Sequence, residues 1–372
     1  MSKRAVIVCL DGCGPAYIRS SNVPSIRKLG AEGRYVNGDS MIPSVTNVNA
    51  VSILTGRYPE EHGITTNYYL ERGTGREVYM ESPDFIKART LLEEGVNLGL
   101  RTALLTSKDK LRLLLGRGAA ASFSAERPPS SLVKVLGPPP PIYSVDVDIW
   151  LMKALREVML KDDLTLVYVM TTDYAMHKYA PREGESKRHL QGIDEALGQT
   201  IEDLEKRGDE VLVCVTADHG MSKKEKAVNL QLTLERHGIA SRLNTIIADR
   251  YVAHHRNLGG AVYIYLENPD DSARCLKVLQ EAEGVEAALT RDQASKLYHL
   301  DKDRIGDFLV LAEEEYVFGL LEQEVTEASL RSHGSLHEAQ VPILVNRPES
   351  ELRGPLRENK DLASLVLEWL TT

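Results

Sequence analysis

Five short apolar runs, each ending on polar or charged residues, constrain this chain more than any other feature. They are AVIVCLDG at 5–12, TALLTS at 102–107, TLVYVMTTD at 165–173, EVLVCVTADHG at 210–220 and VPILVNR at 341–347. Continuous apolar and β-branched residues mark strands covered on both faces, the pattern of a parallel sheet. Between them, PSIRKLGAEG, TLLEEGVNLGL, DIWLMKALREVML and QGIDEALGQTIEDLEKRG place apolar residues at three- and four-residue spacing, as amphipathic helices do. Strands alternating with helices predict an α/β fold: a doubly wound, mostly parallel sheet with helices on both faces. Ligands of such sheets sit at the carboxyl ends of the strands. Three of the five runs end in Asp, so carboxylates from distant parts of the chain converge there.

At 372 residues the chain is long enough for two units. Residues 221–329 lack the strand, acid and helix alternation. They hold two expected strands, GAVYIYL and DFLVLAEEEYVFG, and the helix SARCLKVLQEAEG. The expected organisation is a catalytic core over 1–220 and 330–372, with a smaller α+β cap inserted at 221–329. GPPPPIYS at 137–144 reads as a stiff connector.

A net charge of −9 argues against general nucleic-acid binding through a basic surface. No apolar stretch reaches the roughly 18 residues that a membrane span needs. The N-terminal apolar run ends after six residues at Asp11, too short for a secretory leader, so the expected location is the cytoplasm. Cys9, Cys13, Cys214 and Cys275 are scattered as reduced thiols would be and lack zinc-finger spacing. The acidic total still allows an anionic substrate, because carboxylates that hold metal ions form a positive site once loaded.

The run ends carry the chemistry. Asp173 and His177, at D-x3-H spacing, share one face of a helical turn and make a metal half-site. Asp218 and His219 place an acid and an imidazole at the sheet edge, with Gly220 expected to allow a sharp turn. Asp11, before Gly12, is a carboxylate whose burial would be costly without a partner or metal. In RSHGSLHEAQ, His333 and His337 each could complete a shell, and spacing alone does not choose between them. Three Asp and two or three His form two metal shells, and two such metals can clamp the attacking and leaving groups of a phosphoryl displacement. Thr46 precedes the helix-like NVNAVSILTG, so it lies near a helix N-terminus that favours an anion. It reads as a nucleophile, or, if no metal is nearby, as a simple N-cap.

The ordered set P-S-x-T-x-x-N at 43–49, I-L-T-G-R-Y-P at 53–59, H-G-I at 62–64, D-x3-H at 173–177, T-A-D-H-G at 216–220 and S-H-G at 332–334 resembles the alkaline phosphatase superfamily, in particular its phosphodiesterase-like branch. The resemblance implies that Asp173, His177 and His333 hold one zinc. It implies that Asp11, Asp218 and His219 hold a second, with Thr46 beside it as nucleophile and metal contact. His333 is preferred to His337 because S-H-G is the family pattern. Asn67 matches an amide that bonds a phosphoryl oxygen, and His62 supports a turn. Manganese and iron suit the same His/Asp shell.

Three segments, P-S-x-T-N at 43–47, G-I-x-x-N-Y at 63–68 and TSKDKL at 106–111, resemble phosphonoacetate hydrolases. There, Lys108 and Lys110 would bind the substrate carboxylate. The implied function is metal-dependent hydrolysis of the P–C bond of phosphonoacetate, a step of phosphonate breakdown, through a phospho-threonine intermediate. The alternative is a phosphodiesterase or nucleotide pyrophosphatase of the same branch. The expected partner is a small anionic phosphonate, with no nucleic acid or membrane partner; a homodimer is left open. His254, His255 and Arg256 are further substrate contacts to consider, and the chain length suggests a trimmed cap.

Overall fold

Lys3–Cys9 runs through the middle of a seven-stranded sheet, and Ala5–Cys9 are at most 1% exposed. The computed structural model describes residues 2–248 and 257–372. Across the sheet the order is Arg34–Asp39, Gln340–Val345, Glu210–Thr216, Lys3–Cys9, Leu166–Met170, Thr102–Thr106 and Ala121–Ser124. The last five are mutually parallel. Cys9 pairs with both Met170 and Thr216, and Thr106 pairs with Met170. This register aligns the carboxyl ends and brings Asp11, Lys108, Asp173 and Asp218 to one edge.

Gln340–Val345 departs from the expected parallel set: it is antiparallel to both neighbours. An apolar run reports burial on both faces and carries no direction. Arg34–Asp39, an edge strand with alternating exposure, has no such run and is not legible in the sequence.

Helices cover the sheet in two layers. Val147–Lys161 and Gly184–Lys206 pack together, with Pro24–Glu32 against the latter. Thr46–Thr55, Leu91–Asn97 and Asp361–Thr371 pack together in the other layer. The fold is therefore the doubly wound α/β arrangement. The proline-rich segment lies between the helices Ser130–Leu136 and Val147–Lys161.

Beyond Gly220 the chain builds two smaller sheets. Tyr316–Phe318, Ser222–Val228 and Val325–Ser332 form one; Ser241–Thr245, Ala261–Leu266, Phe308–Ala312 and Val285–Thr290 form the other. Ala261–Leu266 shows why this part stays attached. Val262 and Ile264 enter a separate core with Leu234, Phe308 and Phe318, while Ala261, Tyr263 and Tyr265 join the main core. Alternate side chains of one strand thus bury apolar surface on both sides. The expected single strand DFLVLAEEEYVFG breaks into Phe308–Ala312 and Tyr316–Phe318. Glu313, Glu314 and Glu315 between them are exposed, since three consecutive carboxylates cannot be buried unpaired.

Candidate metal and phosphoryl-transfer site

Two groups of buried side chains lie at the sheet edge. Asp173, His177 and His333 each offer a ligand atom within 4.8 Å of the others, as do Asp11, Asp218 and His219. Gly12 makes the first turn: its φ is +73°, and a Cβ there would lie 3.4 Å from the Asp173 Cβ. Gly12 N–H donates to Asp218 Oδ1 (3.0 Å), tying one acid's turn to another acid. Gly220 lies outside the left-handed region, contrary to the expected sharp turn. It is needed instead for close approach, because a Cβ would stand 3.3 Å from the Glu338 carbonyl oxygen.

Each histidine is oriented by a backbone carbonyl. Nδ1 of His177 donates to Arg331 O (2.7 Å), that of His219 to Gly220 O (2.8 Å) and that of His333 to Ser44 O (2.9 Å). A carbonyl only accepts, so in the neutral ring Nδ1 carries the proton and Nε2 presents a lone pair. Nε2 of His177 lies 3.0 Å from Asp173 Oδ2, and Nε2 of His219 lies 3.3 Å from Asp218 Oδ2. Acceptors thus face acceptors. Asp11 Oδ2 and Asp218 Oδ2 are buried without a hydrogen-bond partner.

Burial, followed by the charges of Asp218 and Asp173, pushes the Asp11 carboxyl well above its ordinary value. Burial, followed by His219 and His177, pushes the His333 ring well below its own. Lone pairs converging from imidazole nitrogens and carboxylates, with orphaned oxygens among them, fit a divalent cation in each group. His337 stands apart, with Nε2 2.8 Å from Glu286 Oε2.

Thr46 opens the helix Thr46–Thr55, and the N-cap is Val45, with no side-chain capping bond. The Thr46 hydroxyl therefore does not act as a cap. Its Oγ1 lies 3.2 Å from His219 Nε2 and 3.5 Å from Asp11 Oδ1. Thr46, Asn47, Asn67, Lys108, Lys110 and His333 line one cavity. Lys108 Nζ donates to Asp173 Oδ1 (2.7 Å) and lies 4.0 Å from Asp11 Oδ2. Asn67 Nδ2 donates to Ile247 O (3.2 Å) and Ala248 O (3.3 Å), and its buried Oδ1 has no partner. His254, His255 and Arg256 lie outside the described residues.

The sequence model of the family described as type I phosphodiesterase / nucleotide pyrophosphatase matches residues 5–336. The chain belongs to this family. A phosphonoacetate hydrolase from Sinorhizobium meliloti 1021, solved with phosphonoacetate and with phosphonoformate, is similar to this phosphodiesterase-family chain. The identity is 33% and the TM-score 0.89, covering 99% of this chain and 96% of that one. That coverage leaves little room for the trimmed cap expected from length. Venom phosphodiesterase 2 of Crotalus adamanteus is 29% identical over 234 residues, covering 59% of this chain and 27% of that one. The chain spans about a quarter of the length of the curated relatives it matches first. The alkaline phosphatase PafA, at 15% identity and TM-score 0.72 over 100% of this chain and 96% of that one, has a similar fold.

Supporting residues of this phosphodiesterase-family site were not legible in the sequence. Fully buried Asp148 accepts from Thr172 N–H (3.0 Å) and from the Ser107 hydroxyl, fixing the residues just before Asp173 and Lys108. Asn359 Nδ2 bonds Ala217 O (3.2 Å) and Asn49 Oδ1 (3.3 Å), linking the Asp218 strand to the Thr46 helix. Asp148 and Asn359 sit in ordinary helical or loop sequence, with no spacing signal.

His62 supports a turn as expected. Ile64 N–H donates to its Nδ1 (3.1 Å), so Nε2 carries the proton toward Ser52 Oγ (2.8 Å). Burial, with Arg304 adding, pushes the ring down to about 3 from 6.5. The stability tied to the neutral ring is complete above pH 6.5 and is lost as pH falls from there toward 3. His62→Ala, which leaves Ile64 N–H unpaired, is expected to cost about 1–3 kcal/mol at neutral pH in urea unfolding. An unchanged urea midpoint would contradict this role.

Proposed function

We propose that this chain hydrolyses the P–C bond of phosphonoacetate to acetate and phosphate. The observation that carries the reading is that Lys108 and Lys110 line the same cavity as Thr46. The 33% identical Sinorhizobium hydrolase, solved with phosphonoacetate, supports it.

Asp173, His177 and His333 would hold one divalent cation, and Asp11, Asp218 and His219 a second beside Thr46. Zinc is the first choice, and manganese or iron suit the same donors. Bound there, the ions supply Lewis acidity toward the phosphonyl oxygens and lower the pKa of the threonine hydroxyl. Thr46 Oγ1 forms a bond to phosphorus as the P–C bond breaks, and the electron pair leaves on carbon. That charge spreads onto the carboxylate as an enediolate, where the ammonium groups of Lys108 and Lys110 stabilise it. The carbon then takes up a proton and acetate departs. Water cleaves the phospho-threonine, which releases phosphate and restores Thr46. Lys108 also keeps Asp173 placed through their 2.7 Å contact.

Among the described residues no helix is long and apolar enough to cross a membrane. Four buried free thiols support a reducing, cytoplasmic setting for the reaction.

The test is phosphate release from phosphonoacetate by zinc-loaded protein, with bis-p-nitrophenyl phosphate assayed beside it. Lys110→Ala and Lys108→Ala are expected to lower kcat/KM on phosphonoacetate by about 100-fold or more, a magnitude typical of losing one preorganised charge-stabilising group. Diester cleavage by Lys110→Ala should stay within a few-fold of wild type, because an alkoxide leaving group needs no carboxylate partner. Cleavage of the diester alone, indifferent to both lysines, would instead make the chain a phosphodiesterase.

A further inference from the structure

Lys108 and Lys110 line the cavity, whereas Asp109, between them, bonds the edge of the sheet. Lys108 is extended (φ −92°, ψ 131°) and Asp109 opens the helix Asp109–Leu115, so the chain turns at the lysines. The Asp109 Oδ1 accepts from Arg112 Nε (2.6 Å) and from Ser124 Oγ (2.9 Å), and Arg127 Nε lies 3.2 Å from Oδ2. The main chain of the turn is held by the same segment. Asp109 N–H donates to Glu126 Oε2 (2.6 Å), and Ala125 N–H donates to Thr106 O (2.9 Å). Ser124 ends the edge strand Ala121–Ser124 and is fully buried. Its Oγ also accepts from Arg127 N–H (3.1 Å), which fixes the donor that reaches Asp109.

An acid between two anion-binding lysines would repel an anionic substrate if it faced the cavity. Here two guanidinium groups take up its charge, and the Arg112 hydrogen bond, which outweighs burial, holds the carboxyl below its ordinary value. Each lysine side chain carries about 2 kcal/mol of rotamer entropy, so two ammonium groups converge on one small carboxylate only from a fixed backbone. We infer that Asp109 is a positioning residue for the substrate-carboxylate site: gripped by Ser124, Arg112 and Arg127, it fixes the turn from which Lys108 and Lys110 reach one carboxylate. The inference rests on the proposed reaction for what the lysines bind, and deepens it by assigning what sets their spacing. It also separates two ligands. A phosphonate that bears a carboxylate senses Asp109, and inorganic phosphate, which has none, does not.

The test uses the full zinc-loaded chain, with phosphonoacetate turnover followed kinetically and phosphate affinity read by calorimetry. Asp109→Ala is expected to lower kcat/KM on phosphonoacetate about tenfold or more, within the roughly 100-fold that a 1 Å misplacement brings. The phosphate Kd should stay within about twofold of wild type. Asp109→Asn, which keeps an acceptor for Ser124 and Arg112, should recover most of the loss. Arg112→Ala, which leaves Asp109 in place but loosens its grip, should lower kcat/KM by a smaller factor, and keeps the test available if Asp109→Ala folds poorly. The deciding comparison is Asp109→Ala in the Lys110→Ala background. A residue that acts through the lysines costs several-fold less there than alone, whereas a merely structural one costs the same in both. Equal losses in the two backgrounds overturn the assignment, as does a phosphate Kd that rises in step with the lost rate. Wild-type turnover of phosphonoacetate is measured first. Its absence would defeat the proposed substrate, and the role of Asp109 would then be decided by the phosphonoacetate Kd. Asp109→Ala should raise that Kd about tenfold against an unchanged phosphate Kd, and equal values in wild type and variant would overturn the inference.

Discussion

Thr46→Ala is expected to lower phosphate release by about three orders of magnitude or more while leaving the protein folded and able to bind phosphate. In the proposed reaction no other group of the protein attacks phosphorus, and removing a covalent nucleophile costs close to the whole catalytic effect of the residues acting with it. The structure makes this substitution unusually clean. Thr46 is the first helical residue and its hydroxyl caps nothing, so Ala removes no helix-stabilising bond. Ala is also the best helix former. The neighbours of Oγ1 are His219 Nε2 and Asp11 Oδ1; His219 keeps its Nδ1 bond to Gly220 O, and Asp11 Oδ1 stays 3.6 Å from His219 Nε2. Zinc content and Tm should therefore match wild type, and Thr46→Ser should keep part of the rate. Turnover by Thr46→Ala within tenfold of wild type would remove Thr46 from the chemistry. A fall in zinc content that parallels the fall in rate would make it a ligand first.

Lys224→Met is expected to cost about 3–5 kcal/mol, the usual penalty for stranding one member of a buried ion pair. Lys224 and Glu338 have fully buried side chains, with Nζ 2.9 Å from Oε1. Glu338 Oε1 also accepts from the Ser222 hydroxyl, and Oε2 accepts from Ser335 N–H (3.1 Å) and Oγ (2.7 Å). Glu338 O accepts from Gly220 N–H (2.7 Å). This one residue therefore holds both the segment after His219 and the segment after His333. Burial pushes its carboxyl up, but Lys224 and the serine hydroxyls outweigh that and hold it below its ordinary 4.5. The pair's stability is then complete above pH 4.5 and is lost as pH falls below it through the folded value. Urea midpoints measured from pH 4 to 7 should show Lys224→Met weakened across the neutral range, with reduced zinc affinity. An unchanged midpoint would show that the pair contributes nothing net.

The legible part of the site was the part written next to a strand. Asp11, Asp173 and Asp218 follow apolar runs directly, and His177 and His219 sit within four residues of an acid. Position in the fold could be inferred because a parallel sheet sends all such ends one way. His333 had no such context. It follows Val325–Ser332, whose exposed and half-buried positions read as surface, so spacing left it level with His337. Its place beside Asp173 and His177 is fixed through Ser44 O, which comes from a loop 289 residues earlier. Lys224 and Glu338 were harder still. A lysine in SKKEKAV and a glutamate in LHEAQ look solvated until the two segments meet. The direction of Gln340–Val345 was lost for a different reason: pairing geometry is set by neighbours, not by the run itself.

One pairing has a bearing on how such enzymes diversify. Ser222 lies directly opposite Ser332 in the antiparallel pair Ser222–Val228 and Val325–Ser332. Everything between them leaves and re-enters the core through adjacent backbone positions, as a graft does through its stem. A short turn could close that stem at little entropic cost. His219 and His333, on either side of it, are anchored through Gly220 and Ser44, outside the graft. The part of the molecule beyond these two strands can therefore be exchanged, taking the Ile247 wall of the cavity with it, provided the strands keep Lys224, which holds Glu338, and the Arg331 carbonyl, which orients His177 in the candidate metal site.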